Sequence, residues 1–250
     1  MTETRITARK NPLIQQVRKL LSSRKEREKA GLFVADGTKL LQEAVQYFPG
    51  LDTVILSDGV EAAIPESVKV IRVPGDVMES ISPMASPQGA VFVCRLPEKT
   101  EFTPSAPMLL LDGIQDPGNL GTILRTADAM NVQVALLEGC ADPYSHKVVR
   151  ASMGAVLRRD VVQTTWEAAS AALKAAGIPV AVTALSDRAD DIRNADVTHM
   201  AVVIGSEGQG VRNEVLQSAD AELIIPMNKH CESLNAAIAA AIVMWQMKQV

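Results

Sequence analysis

Apolar positions along the chain recur at two different spacings, and the two alternate from one end to the other. Leu13, Val17, Leu20 and Leu21 fall on one helical face, and Leu40, Leu41, Ala44 and Val45 on another. Short apolar runs at residues 31–35, 53–56, 68–73 and 89–94 read as strands. Residues 1–95 are therefore expected to form a small α/β domain. Residues 96–107 hold three prolines with polar filling and are expected to be an extended linker. Beyond it the alternation sharpens. Strands are predicted at 108–112, 132–137, 160–163, 179–184, 201–205 and 221–225, and helices at 120–130, 166–176, 211–218 and 233–248. Runs such as Met108-Leu-Leu-Leu and Ala201-Val-Val-Ile are apolar at every position, as strands buried on both faces must be. Strands of that kind alternating with helices predict a mainly parallel sheet over residues 108–250.

Composition narrows the function classes. With 47% hydrophobic and 22% charged residues the chain is an ordinary globular protein, and 3% aromatic content leaves few rings for stacking bases. No apolar run is long enough to span a membrane. Three widely spaced cysteines, Cys94, Cys140 and Cys231, fit neither a disulfide framework nor a zinc knuckle, and predict reduced thiols in a cytoplasmic protein.

Charge changes the picture more. The net charge of −4 argues against a nucleic-acid partner, but its distribution argues for one. Nine basic residues lie between Arg5 and Lys29, among them Arg18, Lys19, Arg24, Lys25 and Arg27, against two acidic ones. A second stretch, 144–159, has no acid and carries Lys147, Arg150, Arg158 and Arg159. Localised positive charge of this kind suits a phosphate backbone, with a solvated helix face as the alternative for the first run.

Three segments sit where open parallel sheets hold ligands, just beyond the C-terminal ends of buried strands. In the first, Gly118, Asn119 and Gly121 open a helix and Arg125 follows on it. Asn119 is either the helix cap or a brace for loop backbone; with Arg125 it could meet a phosphate or a ribose. The second, 202–211, is a glycine-rich turn in which Glu207 holds a cation or a hydroxyl, or caps the next helix. It lacks both the dinucleotide-binding glycine order and a phosphate-loop lysine, which sets a dehydrogenase aside. The third is Ile225-Pro-Met followed by Ser233-Leu-Asn235, where Ser and Asn at a helix start are ordinarily caps.

Taken in order, the three segments resemble the signature motifs of the SpoU, or TrmH, family of RNA ribose methyltransferases. The matching residues are Asn119-x-Gly-x-x-x-Arg125, Ile204-Gly-Ser-Glu207-Gly, and Ile225-Pro-Met with Ser233-Leu-Asn235. Arg150-Ala-Ser-Met-Gly154-Ala is similar to a further family segment. The resemblance covers 108–250; the chain before it more loosely resembles the substrate-binding domain, related to the ribosomal protein L30e fold, of longer members.

The resemblance implies a deep trefoil knot in the C-terminal domain and S-adenosyl-L-methionine as cofactor. Carried over, cofactor contacts fall on Gly205, Ile225 and Leu234, with support from Met227, Ser233 and Asn235, Ile204 beside them, and Ala184 and Leu185 as further candidates. Arg125 is implied as the catalytic arginine, acting either as the base or, since a guanidinium holds its proton tightly, by orienting the ribose with its neighbouring phosphate and stabilising the developing oxyanion. Asn119, Glu207, Ser233 and Asn235 complete the implied catalytic set. No metal is implied. A homodimer through the C-terminal domain, with shared sites, is expected. The implied substrate is RNA, ribosomal ahead of transfer RNA, with a non-catalytic assembly factor as the alternative outside the enzymes. The loop after Met227, Asn228-Lys-His230-Cys231, departs from the family's glycine, and ribose methylation has no use for a His–Cys nucleophile there.

Overall fold

The computed structural model describes residues 4–98, 100–228 and 230–248. In chain order its elements are β1 (Thr4–Arg5), α1 (Pro12–Ser22), α2 (Arg24–Ala30), β2 (Leu32–Asp36), α3 (Thr38–Tyr47), β3 (Leu51–Ser57), β4 (Lys69–Val73), α4 (Gly75–Glu79) and β5 (Ala90–Arg95). There follow β6 (Met108–Asp112), α5 (Pro117–Met130), β7 (Gln133–Leu136), α6 (His146–Ala151), α7 (Ala155–Arg158), β8 (Val162–Gln163) and α8 (Trp166–Ala176). The chain ends with β9 (Val180–Thr183), β10 (Asp190–Asp191), a 3-10 turn (Ile192–Asn194), β11 (Ala201–Gly205), α9 (Asn213–Gln217), β12 (Ala221–Ile224) and α10 (Ala236–Met247).

Two compact units result. One holds the chain up to Glu98 together with Asp142–Asp160; the other holds the stretch ending at Ala141 and everything from Val161 onward. In the first, a five-stranded sheet runs in the order β1-β4-β3-β5-β2, with β5 antiparallel to both its neighbours. Ile14, Val17 and Leu20 of α1 pack on Val34, Ile55, Ile71 and Val91, so the stripe read from the sequence is the face that meets the sheet.

The excursion 142–160 differs from a boundary drawn once, at the prolines. Its apolar residues explain it: Val148 and Val149 are fully buried, and the Tyr144 ring lies 5.1 Å from that of Phe33 on β2. Arg27 supplies the polar half of the same attachment. Its Nη2 lies 2.6 Å from Asp142 Oδ2, its Nη1 donates to the Leu20 carbonyl, and it is 5% exposed. Arg27 is therefore removed from the set expected to contact RNA: its charge is neutralised inside the unit. The run around it became a helix because Ser23 accepts the Glu26 N–H at one end and Gly31, at φ +65°, closes the other.

The second unit is a seven-stranded sheet, β10-β12-β9-β11-β6-β7-β8, parallel throughout. Trp166, Ala169 and Leu173 of α8 and Val215 of α9 cover one face, through Leu110, Ala135, Val182 and Val203. On the other, α10 packs against α5 and β11. The chain builds from β6 through β7 to β8 on one side, then places β9 and the later strands on the other. The change of direction falls between β6 and β11, the place where such sheets leave a crevice. The linker has no helix or strand among its described residues, though Phe102 packs on the second core and Gln133 accepts the Ser105 N–H.

Breaking a buried ion pair from one side leaves the other charge stranded, at a cost of about 3 kcal/mol or more. Arg27→Met should therefore destabilise the protein by roughly that amount, read as a shift of the urea unfolding midpoint; the exposed Lys25→Met should shift it by less than about 0.5 kcal/mol.

Candidate active site

The crevice gathers residues from all three motif segments. Each lies just past the C-terminal end of a strand: β6 ends at Asp112, β11 at Gly205, which pairs with Asp112, and β12 at Ile224.

Asn119 does not cap its helix. That position belongs to Asp116, whose side chain accepts the Asn119 N–H, with Pro117 at the first helical turn. The Asn119 amide is thus free to reach outward. Its Nδ2 donates to Glu207 Oε1, and its Oδ1 accepts from Asn235 Nδ2 at 2.9 Å. Asn235 Oδ1 in turn accepts the backbone N–H groups of Ala237 and Ile238 at the start of α10. The direction of this chain is dictated at both ends, because an ionised carboxylate only accepts and a helix N-terminus only donates. Each Asn must then point its NH2 toward Glu207. The capping by Asn235 also corrects the expected helix start: α10 begins at Ala236, and Ser233 and Leu234 lie in the loop before it.

A second clamp escaped the sequence reading. Asp112 is 1% exposed and accepts both the backbone N–H and the Nε of Arg212, at 2.9 and 2.6 Å. Arg212 also donates to Glu138 at 2.8 Å. Partial burial pulls the Glu138 carboxyl upward, but backbone N–H donors and the Arg212 guanidinium outweigh it and hold it below the usual carboxylate range. The signal was present: one acid closing the otherwise apolar run Met108-Leu-Leu-Leu-Asp112 needs a partner in the core.

Between these clamps the loop after β11 folds tightly. Ser206 and Gly210 exchange backbone hydrogen bonds at 3.1 and 2.9 Å, with Gly210 at φ +68°. A Cβ at Gly205 would stand 2.1 Å from the Gly210 carbonyl carbon, so only glycine allows this closure.

A cavity of about 620 Å³ opens beside the loop, within the usual range for a small-molecule site. Its walls include Ala184, Leu185, Ile204, Gly205, Ile225, Met227, Ser233 and Leu234 of the residues expected at the cofactor, but not Asn235. Glu207 also lines it, while Asn119 and Asn235 stand behind Glu207 through the hydrogen-bonded chain. Arg125 is exposed on α5, outside the lining, and has no hydrogen-bond or ion-pair partner among the described residues. Cys231 is exposed and His230 donates its backbone N–H to Asn228 Oδ1 in the loop between β12 and α10.

The basic candidates separate by their surroundings. Lys19, Lys25, Lys147 and Arg150 are exposed; Arg24 is exposed and paired with Glu28; Arg18 is half-buried and donates to the Ser80 carbonyl.

Residues 106–245 match the model of the SpoU rRNA methylase family, and residues 11–91 match the MRM3-like substrate binding domain. The chain belongs to the SpoU rRNA methylase family. It is similar to the 23S rRNA (guanosine(2553)-2'-O)-methyltransferase RlmP of Bacillus subtilis (strain 168), with 33% identity over 248 residues that cover 97% of this chain and 98% of that one. Among solved structures, the AdoMet-bound rRNA methyltransferase from Sinorhizobium meliloti superposes with a TM-score of 0.87 at 28% identity, covering 98% of this chain and 97% of that one. The SpoU methyltransferase AviRb from Streptomyces viridochromogenes, in complex with AdoMet, gives 0.83 at 25% identity, covering 95% and 97%. Membership makes this chain an S-adenosylmethionine-dependent RNA 2′-O-ribose methyltransferase.

Gly205→Ala should force Gly210 and Val211 off the strand end and weaken S-adenosylmethionine binding by about ten- to a hundredfold, the 1–3 kcal/mol range of an overpacked site. Calorimetry reads the affinity, and an unchanged value would show that loop closure does not shape the cavity.

Proposed function

We propose that this protein methylates a ribose 2′-hydroxyl of ribosomal RNA, with the 620 Å³ cavity as its cofactor site. The observation that carries the reading is the convergence of Gly205, Ile225 and Leu234, from motifs far apart in sequence, on one cavity wall. Ribosomal RNA is favoured over transfer RNA by the alignment with a 23S rRNA methyltransferase along nearly its whole length and by the match to a substrate-binding domain at 11–91. Reduced thiols fit a cytoplasmic enzyme, and all three cysteines are free.

The residues present suit the group. Ile204, Ile225, Met227 and Leu234 offer apolar surface for a nucleoside, and the strand ends offer backbone groups to fix its polar edges. Bound there, S-adenosylmethionine supplies an electrophilic methyl group on a sulfonium. The chain's own tasks are placement of the ribose and stabilisation of its oxygen. Arg125, exposed and unengaged on α5, supplies a permanent positive charge to orient the ribose with its neighbouring phosphate and to stabilise the forming oxyanion. Asn119 and Asn235 act one step back, holding Glu207 against the cavity. Ser233 lies on the wall beside Leu234. Lys19, Lys25, Lys147 and Arg150 provide exposed charge for the RNA backbone.

The same reading includes a homodimer and the family knot. Ile238 and Trp245, 53% and 63% exposed, stand two turns apart on α10 and form an apolar stripe that a second copy would cover. For the knot, β12 lies between β9 and β10, and the chain after it doubles back so that α10 packs on α5.

Label from the methyl group of the cofactor should appear on a ribose of unmodified ribosomal RNA, and nuclease digestion with mass analysis locates it. Arg125→Ala should lower the transfer rate by about 100-fold or more, the size of a lost oxyanion contact, with cofactor affinity within about twofold of the parent. Transfer to transfer RNA alone would overturn the choice of substrate. In a separate measurement, Ile238→Asp combined with Trp245→Glu should convert a dimer to a monomer in light scattering; a monomeric parent protein removes the dimer from the reading.

A further inference from the structure

The cavity wall carries three carboxylates, Glu207, Glu222 and Glu232. Glu222 sits on β12, three residues before Ile225, and its side chain is 17% exposed. Its Oε1 accepts from Arg188 Nη2 at 3.1 Å. Its Oε2 is sealed from solvent and has no hydrogen-bond partner. Buried polar atoms without partners are uncommon in folded proteins, and each calls for an explanation. The neighbour that holds Oε1 is a weak tether, since the Arg188 side chain is 84% exposed and such pairs contribute little. A carboxylate held loosely at one oxygen, with the other unsatisfied, keeps its negative charge largely uncompensated beside the cavity.

The charge of the cavity names the class of ligand. Its charged lining is Glu207, Glu222, Glu232 and Arg188, an excess of acid over base. The methyl donor carries a sulfonium, an ammonium and a carboxylate and is net positive. The thioether left after transfer has lost the sulfonium charge and is net neutral. Both share the ribose and the ammonium, so hydrogen bonds to those groups do not separate them. A negative wall does, and a partly buried carboxylate contributes more to it than an exposed one because it is less screened by water.

We propose that Glu222 is a specificity-determining residue of the cofactor cavity: it favours the cationic methyl donor over the neutral product, and its pairing with Arg188 sets how strongly. This rests on the cavity being the cofactor site. Arg188 offsets part of the Glu222 charge. Removing either member of the pair then moves the discrimination in opposite directions, which no shared structural role would do.

The test is calorimetric binding of S-adenosylmethionine and S-adenosylhomocysteine to the full-length protein, to Glu222→Gln and to Arg188→Gln, with thermal melts to confirm folding. Glu222→Gln keeps the side chain's shape and an acceptor but removes the charge. It should lower the preference for the donor over the product by about fivefold, the scale of one screened charge interaction. Arg188→Gln, at a site open to solvent, should raise that preference. Equal weakening of both ligands by Glu222→Gln, or a preference that moves the same way in both variants, would reduce Glu222 to a hydrogen-bonding or structural residue and overturn the inference. If the parent protein binds neither ligand, the cofactor reading of the cavity fails, and this inference falls with it.

Discussion

The candidate active site depends on one hydrogen-bonded chain, from Glu207 through Asn119 and Asn235 to the first N–H groups of α10. Its members come from segments that follow three different strands, 88 and 116 residues apart along the chain. Each contributes a group whose polarity the next requires. Reversing either amide would set an NH2 against N–H donors or an oxygen against a carboxylate, so the order admits one arrangement. Asp112 and Arg212 secure the other side of the same crevice, joining β6 to the segment that enters α9.

Between these two attachments most of the residues expected at the cofactor offer the cavity backbone and apolar side chains. That follows from its location. Strands buried on both faces cannot carry polar side chains along their length, so polar chemistry concentrates where they stop. The tight return of Ser206 to Gly210 is possible because Gly205 has no side chain to displace it. Motif residues that look unremarkable one at a time, a glycine, an isoleucine and a leucine, are thus the surface on which a nucleoside-sized ligand would rest.

Positive charge on this chain divides in the same way between internal and external work. Arg27 and Lys25 are near neighbours on one short helix, yet Arg27 is 5% exposed and bound to Asp142, while Lys25 faces solvent. Arg212 serves the core of the second unit and Arg125 stays open. Counting basic residues along the sequence locates a charged surface only after those spent on internal carboxylates are set aside. The partner of each lies far along the chain, Asp142 for Arg27 and Asp112 for Arg212.

The sequence by itself determined the principal strands and longer helices and the class of the second sheet, but not the short elements β1, α2, α4, α6, α7 and β10. Helical stripes such as Leu13, Val17 and Leu20, and solid apolar runs such as Met108 to Leu111, record which faces meet a core, and burial of a face is a local property of spacing. It also placed the cofactor candidates at strand ends, because the order of the three motifs lies in the chain itself. Tertiary structure alone decided what each polar group does. It made Asp116 rather than Asn119 the helix cap, shortened α10 to begin after Asn235, and drew residues 142–160 onto the first unit. It also left Glu222 with one oxygen unmet. The reason is directional: an apolar side chain needs only to leave water, and periodicity reports that. A hydrogen-bonding group needs one particular partner, and no local pattern reports which distant residue supplies it.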